Sequence, residues 1–400
     1  MKVLYIHQYF CTPEEPGGTR SYWISRELIK RGHEVVVITS TKPSHPNQCR
    51  VNIDGIDVVY VQNEYNNSMS KLQKVKSFIN YMLKAVKVAK KEPDVDIVFA
   101  TSTPLTVGYV ALRLRALKHW KYVFEVRDLW PEFPIQVGAI KNKLLIKLLR
   151  LFEKRIYDKA EHVIALSPGM EEGVLSVGIP KEKCTMVPNM SKPDKFYPHA
   201  PSIAIAEEYN IDLSKFNVIH FGSMGRANGL EYIIEAARVL HEKGIEDVCF
   251  LFMGSGATEP TLKTLVNQYG LTNVYFLGKH KMSVVSEVVN CCDASITTFM
   301  NLPILKTNSP NKLFDSLSAG KPIIVNSAGW TKDLCESEQC GFYVDPEKPE
   351  QLAERLIEVK DNKELLKLWG ENARRLSIDV FDKDILSSRV ADVLELACKK

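Results

Sequence analysis

Short apolar runs rich in Val and Ile alternate with stretches whose apolar positions recur every three or four residues, through most of the chain. The runs at 3–6 and 34–39 are too short for helices and too continuous for half-exposed strands. Each therefore predicts a strand buried on both faces. Between them the spacing predicts a helix over 19–31, stopped by Gly32. Further strands are expected at 56–61, 95–100, 121–126, 161–166 and 183–187. Thr103-Pro104 has the chemistry of a helix start, with Thr as cap and Pro in the first helical position. After the polar stretch 188–201 the alternation restarts. Strands are predicted at 216–221, 248–253, 273–277, 293–297 and 322–325, and helices at 228–243, 258–269, 283–290 and 310–319. Helical patterns then fill 348–375 and 381–398. Repeated β-α units with short connections imply parallel sheets covered on both faces. A length of 400 residues suits two such cores, here 1–195 and 196–380, followed by a last helical segment, 381–400.

Composition narrows the class. Hydrophobic content of 45% with 25% charged residues is that of an ordinary globular protein. No apolar run reaches the ~20 residues that span a bilayer. The amino terminus reads as a strand rather than a signal-peptide core. The nine cysteines are scattered without a Cys-x-x-Cys pair, as in a reduced compartment, so a cytoplasmic location is expected. The net charge of +4 hides a basic first half and an acidic second half, which points to an anionic partner for the first. Residues 71–91 hold seven lysines and no acid, with Leu72, Val75, Ile79, Met82, Leu83 and Val86 at helical spacing. Residues 141–159 hold five Lys and two Arg around a Leu-Leu-Ile core. Both segments fit peripheral contact with an anionic membrane surface. They equally fit core-packed helices with a solvated basic side. No nucleic-acid-binding motif accompanies the lysines, so nucleic acid is not expected as a partner.

Three glycine-containing loops follow predicted strands, where ligands of open α/β sheets bind. They are Gly17-Gly18-Thr19-Arg20, Phe221-Gly222-Ser223-Met224-Gly225-Arg226 and Gly254-Ser255-Gly256. Small residues let backbone N–H groups approach a phosphate, and Arg20 and Arg226 would add positive charge. Neither Gly-x-G-x-x-Gly nor a Walker-type loop occurs, and each loop also reads as a tight turn. Asp94-Val95-Asp96 has the spacing of a metal-binding acid pair. It follows Pro93 and precedes an apolar run, and reads as a loop cap.

The segment Ser309-Pro310-Asn311-Lys312-Leu313-Phe314-Asp315-Ser316-Leu317-Ser318-Ala319-Gly320-Lys321-Pro322 resembles the signature helix of the retaining glycosyltransferases of family 4. Arg127-Asp128-Leu129-Trp130-Pro131-Glu132 resembles a variant of the WbuB-like bacterial surface-polysaccharide members, and the likeness covers essentially the whole chain. The resemblance implies a GT-B fold: two Rossmann-like parallel-sheet domains facing across a cleft, the C-terminal helix packing back on the N-terminal domain. It implies retaining transfer from a nucleotide-sugar, UDP-linked by expectation, to a glycan or polyprenyl-diphosphate-linked acceptor, with no metal and no cofactor beyond the co-substrate. Carried over residue by residue, Pro310, Asn311 and Lys312 would hold the diphosphate, and Asp315 the ribose. Gly17, Gly18 and Arg20 would close over phosphate and sugar, with Gly222, Arg226, Gly254 and Lys279 completing the donor site. Lys312, Arg127 and Asp128 would carry the chemistry, Asp128 orienting the reacting hydroxyl or serving as a structural acid paired with Arg127.

Three departures from the family pattern stand out. Thr307 occupies the place of the first acid of a Glu-x7-Glu pair, Asn228 the place of a lysine, and Arg127 the place of a histidine. A non-catalytic membrane-associated nucleotide-sugar-binding subunit and a non-hydrolysing epimerase of the same fold are the alternatives. Donor turnover that depends on an acceptor separates them from a transferase.

Overall fold

The computed structural model describes residues 1–15, 17–65 and 69–399. An eight-stranded sheet uses β1 (Lys2–Ile6), β2 (Glu34–Ser40), β3 (Cys49–Ile53), β4 (Ile56–Val61), β5 (Ile97–Thr101), β6 (Lys121–Val126), β7 (His162–Ala165) and β8 (Cys184–Met186). Its order is β3-β4-β2-β1-β5-β6-β7-β8, parallel except for β3 against β4. Strands β1, β2 and β5 are almost wholly buried, as continuous apolar runs in a doubly covered sheet must be. A second sheet is entirely parallel, with β9 (Phe216–Ser223), β10 (Val248–Ser255), β11 (Val274–Gly278), β12 (Ala294–Thr297), β13 (Ile323–Val325) and β14 (Gly341–Tyr343). Its order is β11-β10-β9-β12-β13-β14.

Among the parallel strands each sheet reverses its direction of growth once, beside β1 in the first and beside β9 in the second. The carboxyl ends of strands at such a switch point are where an open α/β sheet leaves a crevice. The loop carrying Gly17-Gly18 follows β1, and Gly222 lies at the carboxyl end of β9.

Helices Arg20–Lys30 and Lys383–Lys399 cover one face of the first sheet. Helices Lys71–Ala89, Thr106–Lys118 and Lys143–Lys159 cover the other. The C-terminal helix thus packs back on the first unit, as expected from the resemblance. Arg31 secures it through Asp392 at 2.7 Å, and His33 through Glu395 at 2.9 Å.

Several sequence expectations need correction. The helical pattern 348–375 is two helices, Pro349–Val359 and Lys363–Asp379, because Asn362 caps a new start by accepting from the Leu365 N–H at 3.1 Å. Strands β3 and β14 were not anticipated: β3 is a half-exposed edge and β14 has three residues, so neither shows a buried run. Thr103 is not a helix cap. The helix begins at Thr106, and the Thr103 hydroxyl donates instead to Asp128 at 2.5 Å. Asp96 caps backbone, accepting from the Lys2 N–H at 2.6 Å.

Candidate active site

A cleft of about 550 Å³ lies between the two sheets, within the range of about 300–1,000 Å³ usual for small-ligand sites. Gly17, Gly18, Arg127 and Asp128 line it from the first unit. Gly222, Gly254, Lys279, Pro310, Asn311, Lys312 and Asp315 line it from the second.

Helix Asn311–Ser318 supplies the centre. Pro310 precedes it in extended conformation, and no side chain caps its first N–H groups. An uncapped helix start holds positive potential and unfilled donors, which suits an anion. Lys312 rises beside it. Its Nζ lies 3.2 Å from His220 Nε2 and 3.3 Å from Asn228 Oδ1, and no carboxylate pairs with it among the described residues. Burial lowers this ammonium to about 7. His220, on β9 beneath it, is held well below the ordinary histidine value by burial and by Lys312, so its ring accepts from the lysine.

The strand ends under the helix are glycine for a steric reason. A Cβ on Gly254 would fall 1.8 Å from the Gly222 carbonyl oxygen, so no other residue lets β9 and β10 end this close together. Gly18 marks where the two units meet: a Cβ there would lie 3.2 Å from Arg127 Nη2 and 3.3 Å from Asn311 Nδ2.

Arg127 Nη1 lies 3.2 Å from His7 Nε2, and His7 Nδ1 lies 2.8 Å from Ser21 Oγ. Burial, and then Arg127, hold His7 well below its ordinary value, leaving the arginine charge unmatched by that neighbour. Asp128 makes no ion pair with Arg127. It takes the Thr103 hydroxyl instead, and burial pushes its carboxyl up, against that hydrogen bond and the nearby guanidinium.

Two expected donor residues lie elsewhere. Arg20 is fully buried behind the glycine loop, with Nε 2.9 Å from Glu125 Oε1, Nη2 3.0 Å from the Val187 carbonyl, and Nη1 on the Pro188 carbonyl. Its charge is matched by a carboxylate and cannot reach the cleft. Arg226 is exposed in the one-turn helix Arg226–Asn228, outside the cleft lining. Thr307 sits on the seam between the units. Its methyl group packs against Gly169, its hydroxyl donates to the Ile304 carbonyl at 2.8 Å, and its carbonyl accepts from Ser167.

A family model for 4-like glycosyltransferase domains matches residues 17–190, and one for group 1 glycosyltransferases matches 202–376. The chain thus consists of a glycosyltransferase 4-like domain followed by a group 1 glycosyltransferase domain. It is 22% identical to WbjE of Pseudomonas aeruginosa, described as a probable glycosyltransferase, over 69% of this chain and 68% of that one. Among solved structures it superposes on HepE of Anabaena, in complex with UDP and glucose, with a TM-score of 0.73 and 17% identity over 99% of each chain. WaaG, a glycosyltransferase involved in lipopolysaccharide biosynthesis, gives 0.71 and 17% identity over 98% of this chain and 99% of its own. These likenesses establish the GT-B fold.

Sequence reasoning missed several side chains at this glycosyltransferase's cleft. Lys192, in the segment joining the two sheets, lies 2.8 Å from Asp315 Oδ1, with both side chains buried. Burial raises the Asp315 carboxyl, and Lys192 opposes that rise. A lysine in a connecting segment has no periodicity to betray it. His220 and His7 each stand at the end of an apolar strand run and could have been flagged as polar residues in buried positions.

The basic helices also proved informative. On Lys71–Ala89, Leu72, Val75, Ile79 and Leu83 face solvent, while Met82 and Val86 pack inward. On Lys143–Lys159, Leu144, Leu145, Leu148 and Leu151 face outward, Leu144 being 67% exposed. Both helices thus carry apolar side chains on the outside, which a simple core-packed arrangement would bury. Among the described residues no helix is long and apolar enough to cross a membrane.

Proposed function

We propose that this glycosyltransferase moves a hexosyl or N-acetylhexosaminyl group, with retention and without metal or cofactor, from a UDP-linked donor to a glycan or polyprenyl-diphosphate-linked acceptor of bacterial surface polysaccharide. Residues 196–380 would hold the donor and 1–195 the acceptor. The observation that carries this reading is the uncapped start of helix Asn311–Ser318, with Lys312 beside it paired with no carboxylate among the described residues. A diphosphate placed there would meet the amides of Asn311 and Lys312 and the Lys312 ammonium, while Asp315 would accept from ribose. Support for a UDP-sugar comes from the bound ligands of HepE, and for surface glycans from the role of WaaG.

In the proposed reaction the acceptor hydroxyl attacks the anomeric carbon from the face that the nucleotide leaves. The bond from that carbon to the β-phosphate oxygen breaks, and the hydroxyl proton passes to a phosphate oxygen of the departing UDP. Asp128 orients the hydroxyl, while Arg127 and Lys312 stabilise the charge on the leaving diphosphate. Catalysis is then mainly positioning and electrostatic stabilisation. The outward leucines and lysines of Lys71–Ala89 and Lys143–Lys159 would rest on an anionic membrane surface at the cytoplasmic side.

The test is UDP release from UDP-sugars in the presence and absence of acceptor, with the product anomer read by NMR and the assay repeated in EDTA. Acceptor-dependent release with an unchanged anomeric configuration is expected. Tight UDP binding without release would favour a binding subunit instead.

A further inference from the structure

A second cavity, of about 740 Å³, opens on the first unit between helices Lys143–Lys159 and Pro168–Ser176. It is separated from the donor cleft by a single loop. Within Arg127-Asp128-Leu129, the first two residues line the cleft and the third lines this cavity. Leu129 lies flat on the second helix because residue 173 is glycine: a Cβ there would fall 2.6 Å from Leu129 Cδ1. Ile146, Leu151 and Val177 complete an apolar wall.

The polar side chains of the cavity divide into satisfied and unsatisfied. Arg150 is paired with Glu132 at 2.7 Å, and Lys154 donates to the Val177 carbonyl at 2.9 Å. Glu153, 5% exposed, accepts from the Tyr157 hydroxyl at 3.1 Å. Burial brings its carboxyl up to about 7, so near neutrality about half of its negative charge is absent from the cavity. Among the described residues Lys143 and Lys147 have no partner, and they stand one helical turn apart on the rim. The outward Leu144, Leu145 and Leu148 of the same helix extend the apolar surface from the cavity to solvent. Helices following parallel strands run back along them, so the start of this helix lies towards the edge of the sheet that bears the cleft.

An apolar wall, two unmatched ammonium groups and a position one loop from Asp128 together define an amphiphile with an anionic head. We propose that this cavity holds the lipid-diphosphate portion of the acceptor, with its phosphates on Lys143 and Lys147 and its hydrocarbon against Leu129, Ile146 and the outward leucines. The glycan then reaches over the loop into the cleft. This rests on the reading of the chain as a transferase with a lipid-linked acceptor. It assigns that acceptor a site within the protein, distinct from general contact with a bilayer.

Farnesyl diphosphate tests the assignment. It is titrated calorimetrically, without vesicles and below its aggregation concentration, into the full chain saturated with UDP so that the donor cleft is filled. One-to-one saturable binding is expected, weakened at least about tenfold by Lys143→Glu with Lys147→Glu, while UDP affinity and Tm stay unchanged. Lys143→Gln with Lys147→Gln, on the same exposed rim, serves where the charge reversal lowers Tm, and is expected to weaken binding in the same direction. Equal affinity in these variants, or displacement of UDP by the probe, would overturn the proposal. So would variants that lose only binding to anionic vesicles, since the lysines would then serve the bilayer. A chain that binds UDP and turns over donor yet ignores the probe sinks this site alone. A chain that binds neither sinks the transferase reading as well.

Discussion

Replacing Lys312 with Met removes the unmatched cation of the cleft while keeping most of the length of its side chain. Among the described residues Lys312 faces only His220 and Asn228, both neutral partners, and burial leaves its ammonium titrating at about 7. A bound diphosphate would supply the missing negative charge and draw the lysine back towards its ordinary value. Binding therefore takes up a proton wherever the free lysine is neutral. The sign follows directly: affinity for UDP is greatest below pH 7 and falls above it, by about tenfold per pH unit while only the bound form is protonated. At neutral pH the substitution should weaken UDP by about 1.5–3 kcal/mol, the usual worth of a hydrogen bond to a charged group, or roughly ten- to 150-fold. UMP, which lacks the β-phosphate, should lose less. Because the native lysine is depressed by burial, the variant should be at least as thermostable at pH 6 without nucleotide, which separates lost binding from unfolding. Isothermal titration at pH 7.5, 8.25 and 9.0 measures the slope. An equal slope in wild type and Lys312→Met, or affinity that rises with pH, would refute the reasoning.

Other consequences follow from the same geometry. Arg20→Met should cost about 3–5 kcal/mol of stability by stranding the buried Glu125, while the Km for donor in the surviving folded protein stays unchanged, as denaturant melts and kinetics would show. Lys192→Met should let the Asp315 carboxyl rise further, moving the acid limb of UDP affinity to higher pH, and Lys192→Arg should restore much of it; an unmoved limb would mean that Asp315 does not meet the nucleotide. Gly18→Ala places a methyl group against Arg127 and Asn311, and kcat should fall about tenfold with little change in Tm. Asp128→Asn should lower kcat more than it alters UDP affinity, a split that a purely structural acid would not produce.

The parts of this fold that sequence exposed are those where one physical demand acts alone. A parallel strand covered on both faces must be apolar throughout, so β1, β2 and β5 announce themselves, whereas β3, half-exposed at an edge, and the three-residue β14 do not. The start of helix Asn311–Ser318 was equally plain, because proline followed by polar residues and an apolar face marks an amino terminus. The pattern at 348–375 misled because apolar spacing continues across Asp361-Asn362, while the cap that restarts the helix is a local hydrogen bond. Arg20 misled for a longer-range reason. Beside a glycine loop it has the look of a phosphate ligand, and only the fold brings Glu125, 105 residues away, to 2.9 Å.

Arg20 and Lys312 together show what decides whether a cation near such a site is available to a ligand. Both are close to a glycine-bearing strand end, and both are withdrawn from bulk water. Arg20 meets a buried carboxylate and two carbonyls, so its field is cancelled within the first unit and an incoming phosphate would have to compete with groups already in place. Lys312 meets only a neutral ring and an amide, so a diphosphate would be its first anionic neighbour. Asp315, one turn along the same helix, is in turn matched by Lys192, which keeps a buried acid from cancelling the lysine. That end of the cleft thus keeps its acid neutralised and its cation open, and that asymmetry, rather than the number of basic residues near the loops, is what would select for an anion there.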